Sequence, residues 1–399
     1  MKKYSAVLLC IVCIIAVCIM LYRAERGTDE VLGQADKSLS YSQAASETVE
    51  PVEVKDVGVG SPYKIYYETL SDIEKRAYND ILSEIYDMPE TIRVPKITSE
   101  QLDSVFSALL YDNPDLFFVG RKCTLITKIF NVSCSIEYII EKDEYAARKA
   151  ELDKVCNEVI SSLSDPDDEW QTELEIHDYI VENCEYNLVE DDHNYSSAYG
   201  ALVNGEAACE GYSKAAKLLF DMVGIESAVL SGTAEDEDGT SGAHMWNAVK
   251  INGDYYHLDC TWDDPVDEDG KGTKRYTYFN LNDKMISSSH SGFSYDFGCD
   301  STKENYHIKT GRFFESYSRN DEKAVSAMIV DELEAGGDMV EIRFGSEEAH
   351  KKAVSELING ERIYNVLSLA KSKVKISNKS VSYYADSDLL TLTIVPNHN

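Results

Sequence analysis

The chain has 399 residues, of which 71 are Asp or Glu and 38 are Lys or Arg, for a formal charge of -33. That balance excludes a nucleic-acid partner, which needs a basic surface to release counterions, and it disfavours tight binding to anionic polymers or lipid headgroups. The length beyond any leader is too great for one small core and predicts two or three modules.

Lys2 and Lys3 precede an uncharged apolar stretch, Ala6 to Tyr22, close to the shortest length that spans a bilayer. It reads as a secretory signal or a signal anchor. Val17 before Cys18 does not suit lipoprotein processing, and no small-x-small cleavage site follows. Residues 1–23 are therefore expected to be an uncleaved anchor at the cell membrane, with the basic end in the cytoplasm and the remainder outside; secretion after cleavage is the alternative. Residues 24–61, rich in Glu, Asp, Ser, Gln and Gly, have the composition of a disordered tether.

Residues 62–165 predict an N-terminal α+β module, with helices near Asp72–Met88, Ser99–Tyr111 and Asp143–Leu163 and strands near Lys122–Ile140. Residues 166–308 form the core that carries the chemistry. Residues 309–399 read as a small α+β domain: strand, helix (Glu322–Glu334), strand (Met339–Phe344), helix (Glu347–Lys371) and a final pair of strands up to Val395.

Within the core, Glu210 to Val223 reads as a helical run, with apolar residues from Ala215 onward, that stops at Gly224, so Cys209 falls at a helix start. There the unpaired N–H groups and the positive dipole end favour a thiolate and can receive an oxyanion. His244–Ile251 and Asp254–Trp262 read as strands joined by Asn252-Gly253, a strong hairpin signal. A two-residue turn pairs Ile251 with Asp254, sets Trp246 opposite Asp259, and brings His244 and Asp259 to one face as diagonal neighbours. A cysteine at a helix start is commonly a small buried hydrophobe. With an imidazole and a carboxylate following in order, it has the makings of an activated nucleophile.

The segments Tyr199-Gly200-Ala201-Leu202, Cys209-Glu210-Gly211-Tyr212, His244-Met245-Trp246-Asn247 and Asp259-Cys260-Thr261-Trp262-Asp263-Asp264-Pro265 resemble the bacterial transglutaminase-like superfamily. The likeness runs from about Glu173 to Leu281 and takes in His177-Asp178-Tyr179-Ile180 and Tyr276-Thr277-Tyr278-Phe279-Asn280. Upstream, Leu70-Ser71, Tyr78 and Asp112-Asn113-Pro114-Asp115-Leu116-Phe117-Phe118 resemble an N-terminal module of extracellular members. The resemblance implies an α+β, papain-like fold with a Cys-His-Asp triad of Cys209, His244 and Asp259. It also implies cysteine-dependent acyl transfer on protein or peptide amides, ending in crosslinking, deamidation or proteolysis. Tyr199, Tyr212, Trp246 and Trp262 are candidate cleft residues. With a membrane anchor, the expected partners are protein or peptide substrates of the cell envelope. The competing reading is a catalytically silent fold that acts as a binding or scaffold module.

The CxxC pair Cys10 and Cys13 lies inside the apolar segment and none occurs beyond it, so structural zinc is not expected and no cofactor is implied. Acidic clusters at Glu235-Asp236-Glu237-Asp238 and Asp263 to Asp269 could hold calcium but lack the alternating spacing of a calcium loop. Seven cysteines lie beyond the apolar segment, and in an exported chain Cys123 and Cys134 are a candidate bridge across adjacent strands.

Overall fold

The computed structural model describes residues 60–129, 131–187, 193–236, 239–265 and 274–398. The expected anchor and all of the tether up to residue 59 lie outside the described residues, among which no helix is long and apolar enough to cross a membrane. Residues 54–399 form one compact unit.

The N-terminal helices are α1 (Ile65–Thr69), α2 (Asp72–Ile85) and α3 (Ser99–Asp112). Ser71 and Thr98 each begin a helix with a reciprocal capping box, closed by Glu74 and Gln101, so two orphan donors are satisfied at each start. They pack on an antiparallel sheet of β1 (Ile92–Val94), β2 (Val119–Thr127) and β3 (Val132–Tyr138), in the order β1-β3-β2. Helices α4 (Lys142–Ser162) and α5 (Glu169–Asn183) follow. One apolar core runs without interruption from Ala77 in α2 through Leu152 and Ile176 to Tyr212, Leu258 and Tyr306. The Cys123 and Cys134 thiols are unbridged and hydrogen-bond to each other.

Two short parallel strands, β4 (Glu185–Tyr186) and β5 (Glu206–Ala207), lead into α6 (Cys209–Val223). Gly224 ends that helix with φ 79°, the left-handed cap expected there. Next comes the antiparallel sheet of β6 (Ser227–Glu235), β7 (Ser241–Ile251), β8 (Asp254–Leu258) and β9 (His290–Ser291), in the order β8-β7-β6-β9. Asn252 and Gly253 have φ of 52° and 92°, as a type I′ turn demands. Ile251 pairs with Asp254 and the register holds back to Asn247 and Leu258, as the two-residue turn predicts. Both faces of the hairpin are buried: Val249, Ile251 and Leu258 enter the large core, while Trp246 and Ala248 pack with Leu230 on the other side.

The C-terminal part of the chain has its own core cluster, from Tyr317 to Ile394. Its sheet runs β10 (Phe313–Phe314), β11 (Val340–Phe344), β13 (Thr391–His398), β12 (Ile376–Asp386). The helix Glu322–Glu334 has the expected bounds. The long helix expected over Glu347–Lys371 is instead broken: helical structure from Glu347 to Asn359 stops at Gly360, Glu361 adopts φ 55°, and a new helix covers Ile363–Ala370. The Asn-Gly pair supplies the break.

The first described residues are strapped onto α6. Lys217, with its side chain 1% exposed, donates to Ser61 Oγ (3.1 Å), the Tyr63 and Ser227 carbonyls (3.3 and 3.0 Å) and Asp221 Oδ1 (3.1 Å). The Tyr63 hydroxyl donates to the Gly224 carbonyl at 2.6 Å. Replacing one partner of a buried ion pair leaves the other uncompensated, at a cost of about 3–5 kcal/mol. Lys217→Met is expected to lower unfolding free energy by that order in chemical denaturation, with Lys217→Met/Asp221→Asn recovering part of the loss.

Candidate active site

Cys209 is the first residue of α6, and Ala208 before it is extended (φ -89°, ψ 176°) and contributes no side-chain cap. The first-turn N–H groups beside the thiol therefore meet no capping side chain of the kind that α3 has in Thr98. Gly211 is required by close packing: a Cβ there would lie 2.6 Å from the Tyr195 carbonyl and from Ala207 Cβ. Glu210 is buried, and its carboxylate takes Lys214 Nζ at 2.8 Å and the Arg121 guanidinium from β2. Burial would raise Glu210, but these two cations hold it below its usual range.

His244, on β7, is buried and bonds through Nε2 to Asp259 Oδ2 at 2.7 Å. The His244 ring also interacts with the Cys209 thiol, and with Nε2 committed to Asp259 this contact falls to Nδ1. Burial by itself would push the imidazole down; Asp259 and then Cys209 outweigh it and lift the ring from 6.5 to about 10. Asp259 is fully buried. Its Oδ1 accepts the backbone N–H groups of Thr261 (3.0 Å) and Trp262 (3.2 Å), and its Oδ2 also receives His290 Nε2 at 3.1 Å. Against the cost of burial, His244 and His290 hold the carboxyl well below the usual range.

The neighbouring motif residues brace this arrangement. Asn247 donates through Nδ2 to the Ser213 carbonyl of α6 (2.9 Å) and the Ala228 carbonyl of β6 (3.3 Å), tying helix to sheet. Asp263 receives His177 Nε2 at 3.2 Å and the Tyr278 N–H at 2.8 Å. Burial would lower His177, yet Asp178 and Asp263 on either side raise it to about 9. Asp264 Oδ2 accepts the Tyr212 hydroxyl at 2.6 Å.

The four expected cleft residues divide. Trp262 is half-buried, with its ring 5.4 Å from that of His244 and 4.7 Å from that of His290. Trp246 is buried behind His244, its ring 6.0 Å away and nearly parallel, and its Nε1 donates to His257 Nδ1 at 3.0 Å. Tyr212 is 1% exposed and anchored to Asp264, and Tyr199 is buried with its hydroxyl on Glu151 and its ring stacked on Phe117. The structure thus puts both tyrosines in packing positions, each held by packing and hydrogen-bond partners.

Sequence reasoning missed His290, Tyr186 and Arg121. Tyr186, 39% exposed on β4, pairs with Ala207 just before Cys209, and its phenol lies within electrostatic reach of Cys209 and Asp259. Arg121 lies over the Tyr195 ring at 5.7 Å and senses Cys209. The β4–β5 pairing places Tyr186, the β6–β9 pairing places His290, and the ion pair with Glu210 places Arg121; none of the three leaves a local signal.

Among the described residues, two groups have side chains close enough to hold a metal: His244, Asp259, His290 and His257, Asp283, Cys299. In the second, His257 Nδ1 accepts from Trp246, so Nε2 must carry the proton it donates to Asp283 at 2.8 Å, which leaves no lone pair for a cation. In the first, Asp259 only accepts, so both Nε2 atoms carry protons. Of the acidic clusters, Asp263 and Asp264 point inward to His177 and Tyr212, whereas Glu237, Asp238 and 266–270 lie outside the described residues.

A nucleophile-type helix start packed on an antiparallel sheet that carries a His-Asp pair defines an α+β, papain-like architecture. Residues 153–260 match the family model described as the Transglutaminase-like superfamily. The match contains Cys209, His244 and Asp259 and ends before Trp262 and His290. Among solved structures, one described as a TGase is 14% identical over 42% of this chain and 48% of its own, with a TM-score of 0.25. A candidate cysteine protease from Cytophaga hutchinsonii is 12% identical over 35% of this chain and 61% of its own, with a TM-score of 0.24. Each match spans less than two thirds of the solved chain. No curated protein sequence matches.

Because the folded-state ionisation of His244, about 10, lies above its ordinary 6.5, its proton stabilises the native state. The contribution is complete below about pH 6.5 and is lost as the pH rises toward about 10. The melting temperature of the wild type should therefore exceed that of His244→Gln most at acidic pH, and the difference should shrink through this window.

Proposed function

We propose that the chain catalyses acyl transfer on protein or peptide amides, with Cys209 as nucleophile, His244 as proton shuttle and Asp259 as orienter. The single observation that carries this reading is the His244 ring, which bonds Asp259 at 2.7 Å and interacts with Cys209 on its other side. The Cys209 thiolate attacks the amide carbonyl carbon; the tetrahedral oxyanion forms beside the α6 N–H groups. His244 passes its proton to the departing amine, leaving a thioester. A lysine amine then attacks and gives its proton to His244, forming an isopeptide bond and freeing the thiolate. Water in its place yields the free acid, which is deamidation or proteolysis according to the amide first attacked.

The aromatic surroundings support a site built for a peptide: Trp262 and Tyr186 are the partly exposed rings beside His244 and Cys209. The N-terminal apolar segment, Lys2-Lys3 before Ala6 to Tyr22, supports a place at the cell membrane with envelope proteins or peptides as substrates.

Iodoacetamide labelling of Cys209 near pH 6, read by mass spectrometry, tests the primed nucleophile without a substrate. His244→Ala is expected to slow it by about tenfold or more; equal rates in the two proteins would overturn the reading in favour of a silent scaffold. With an amine and a glutamine peptide, Cys209→Ala should abolish product, and Asp259→Asn should lower kcat by about 10²- to 10⁴-fold.

A further inference from the structure

Asp259 Oδ2 is shared by two imidazoles, although a triad requires only one. His290 reaches it from β9, outside the segment that matches the family model, because β9 pairs with β6 at Ala234 and His290. Its side chain has no exposed surface, and its Nε2 lies 3.1 Å from the same oxygen that receives His244 at 2.7 Å. A carboxylate only accepts, so His290 Nε2 carries a proton. Its Nδ1 lies 2.8 Å from Ser289 Oγ, whose hydroxyl can donate, so a neutral ring has both nitrogens satisfied. Burial and the charge of His244 both favour that neutral form.

The ring is clamped on several sides. It stands edge-on to His244 (5.3 Å), Trp246 (4.8 Å) and Trp262 (4.7 Å), with Tyr278 at 5.6 Å. Gly232, opposite His244 in β6, keeps this space clear, since a Cβ would come within 2.7 Å of the Trp246 ring and 2.5 Å of the Ser291 carbonyl. The ionisable groups that face the pair are Asp259 from beyond β8, Cys209 from α6, the Tyr186 phenol from β4, the Tyr278 phenol and, behind Trp246, His257 with its partner Asp283.

We propose that His290 is a positioning residue, donating Nε2–H to the Asp259 oxygen shared with His244, so that it fixes the carboxylate and moderates its pull on the His244 ring. This rests on the acyl-transfer reading of Cys209, His244 and Asp259. A donor on Oδ2 takes up part of the negative charge that would otherwise be directed at His244. Without it the His244–Asp259 pair tightens, and the imidazolium gives up its proton at a higher pH.

The test is the pH profile of Cys209 alkylation in the wild type, His290→Phe and His290→Gln, each first shown to fold by its melting transition. Phe keeps a ring in the clamp but removes the donor; Gln keeps an N–H donor. His290→Phe should move the alkaline limb, which reports loss of the His244 proton, upward by about one pH unit. It should also lower kcat for amine incorporation by about tenfold with little change in KM, and Gln should restore both at least in part. A Phe profile that superimposes on the wild type, or a Gln variant no closer to wild type than Phe, would overturn the proposal and leave His290 as packing. A wild-type profile indifferent to His244→Ala would instead remove the acyl-transfer reading itself, so the two failures are distinguishable.

Discussion

A carboxylate with no solvent contact has to be satisfied entirely by the protein, and Asp259 sets that constraint for the whole domain. Two backbone N–H groups occupy one oxygen and two imidazoles the other. The backbone donors exist because the chain turns directly after β8 through Thr261 and Trp262, and the imidazoles because β7 and β9 flank β6. The turn is itself pinned, by Asp263 to His177 in α5 and by Asp264 to Tyr212 in α6. A short run of acidic residues that looks like a solvated loop is thus the joint between the sheet and two helices.

The helix that presents Cys209 is held with similar economy. Gly211 lets it lie against the Tyr195 and Ser197 carbonyls, Asn247 fastens it to β6 and β7, and Glu210 links it to Arg121 of the N-terminal sheet. Position of the thiol relative to His244 therefore depends on contacts from three layers rather than on the helix alone. The C-terminal sheet joins the same framework: buried Glu341 of β11 accepts His307 Nε2 at 2.7 Å and Thr277 Oγ1 at 2.8 Å. Thr277 is next to Tyr278, whose carbonyl accepts the Asp259 N–H at 3.3 Å.

Local signals predicted local features well. The Asn252-Gly253 turn fixed the hairpin register, and with it the common face of His244 and Asp259, because a two-residue type I′ loop allows one pairing only. Helical spacing ending in glycine located both ends of α6. What escaped was whatever depends on pairing between distant segments. His290 lies on a two-residue strand, too short to show alternation, and Tyr186 on another. Tyr199 and Tyr212 adjoin the site in sequence, but nearness along the chain does not fix a side chain's direction until the packing face is known. Arg121 is a surface-type residue in a strand, and only its partner Glu210 reveals where it points.

The attachment of residues 60–66 has a mechanical consequence. Gly60 is wedged so closely that a Cβ would fall 1.9 Å from Asn113 Oδ1; Ser61 and Tyr63 are tied to Lys217 and Gly224, and the Tyr66 hydroxyl to the Val229 carbonyl at 2.6 Å. Tension applied through the chain that precedes them would enter the fold at the end of α3, through Asp112 and Asn113, and at α6 and β6, the elements that carry Cys209 and oppose His244. The geometry of the thiol and the imidazole is consequently exposed to pulling from that end, as in a force gauge whose hook is fastened to its own spring.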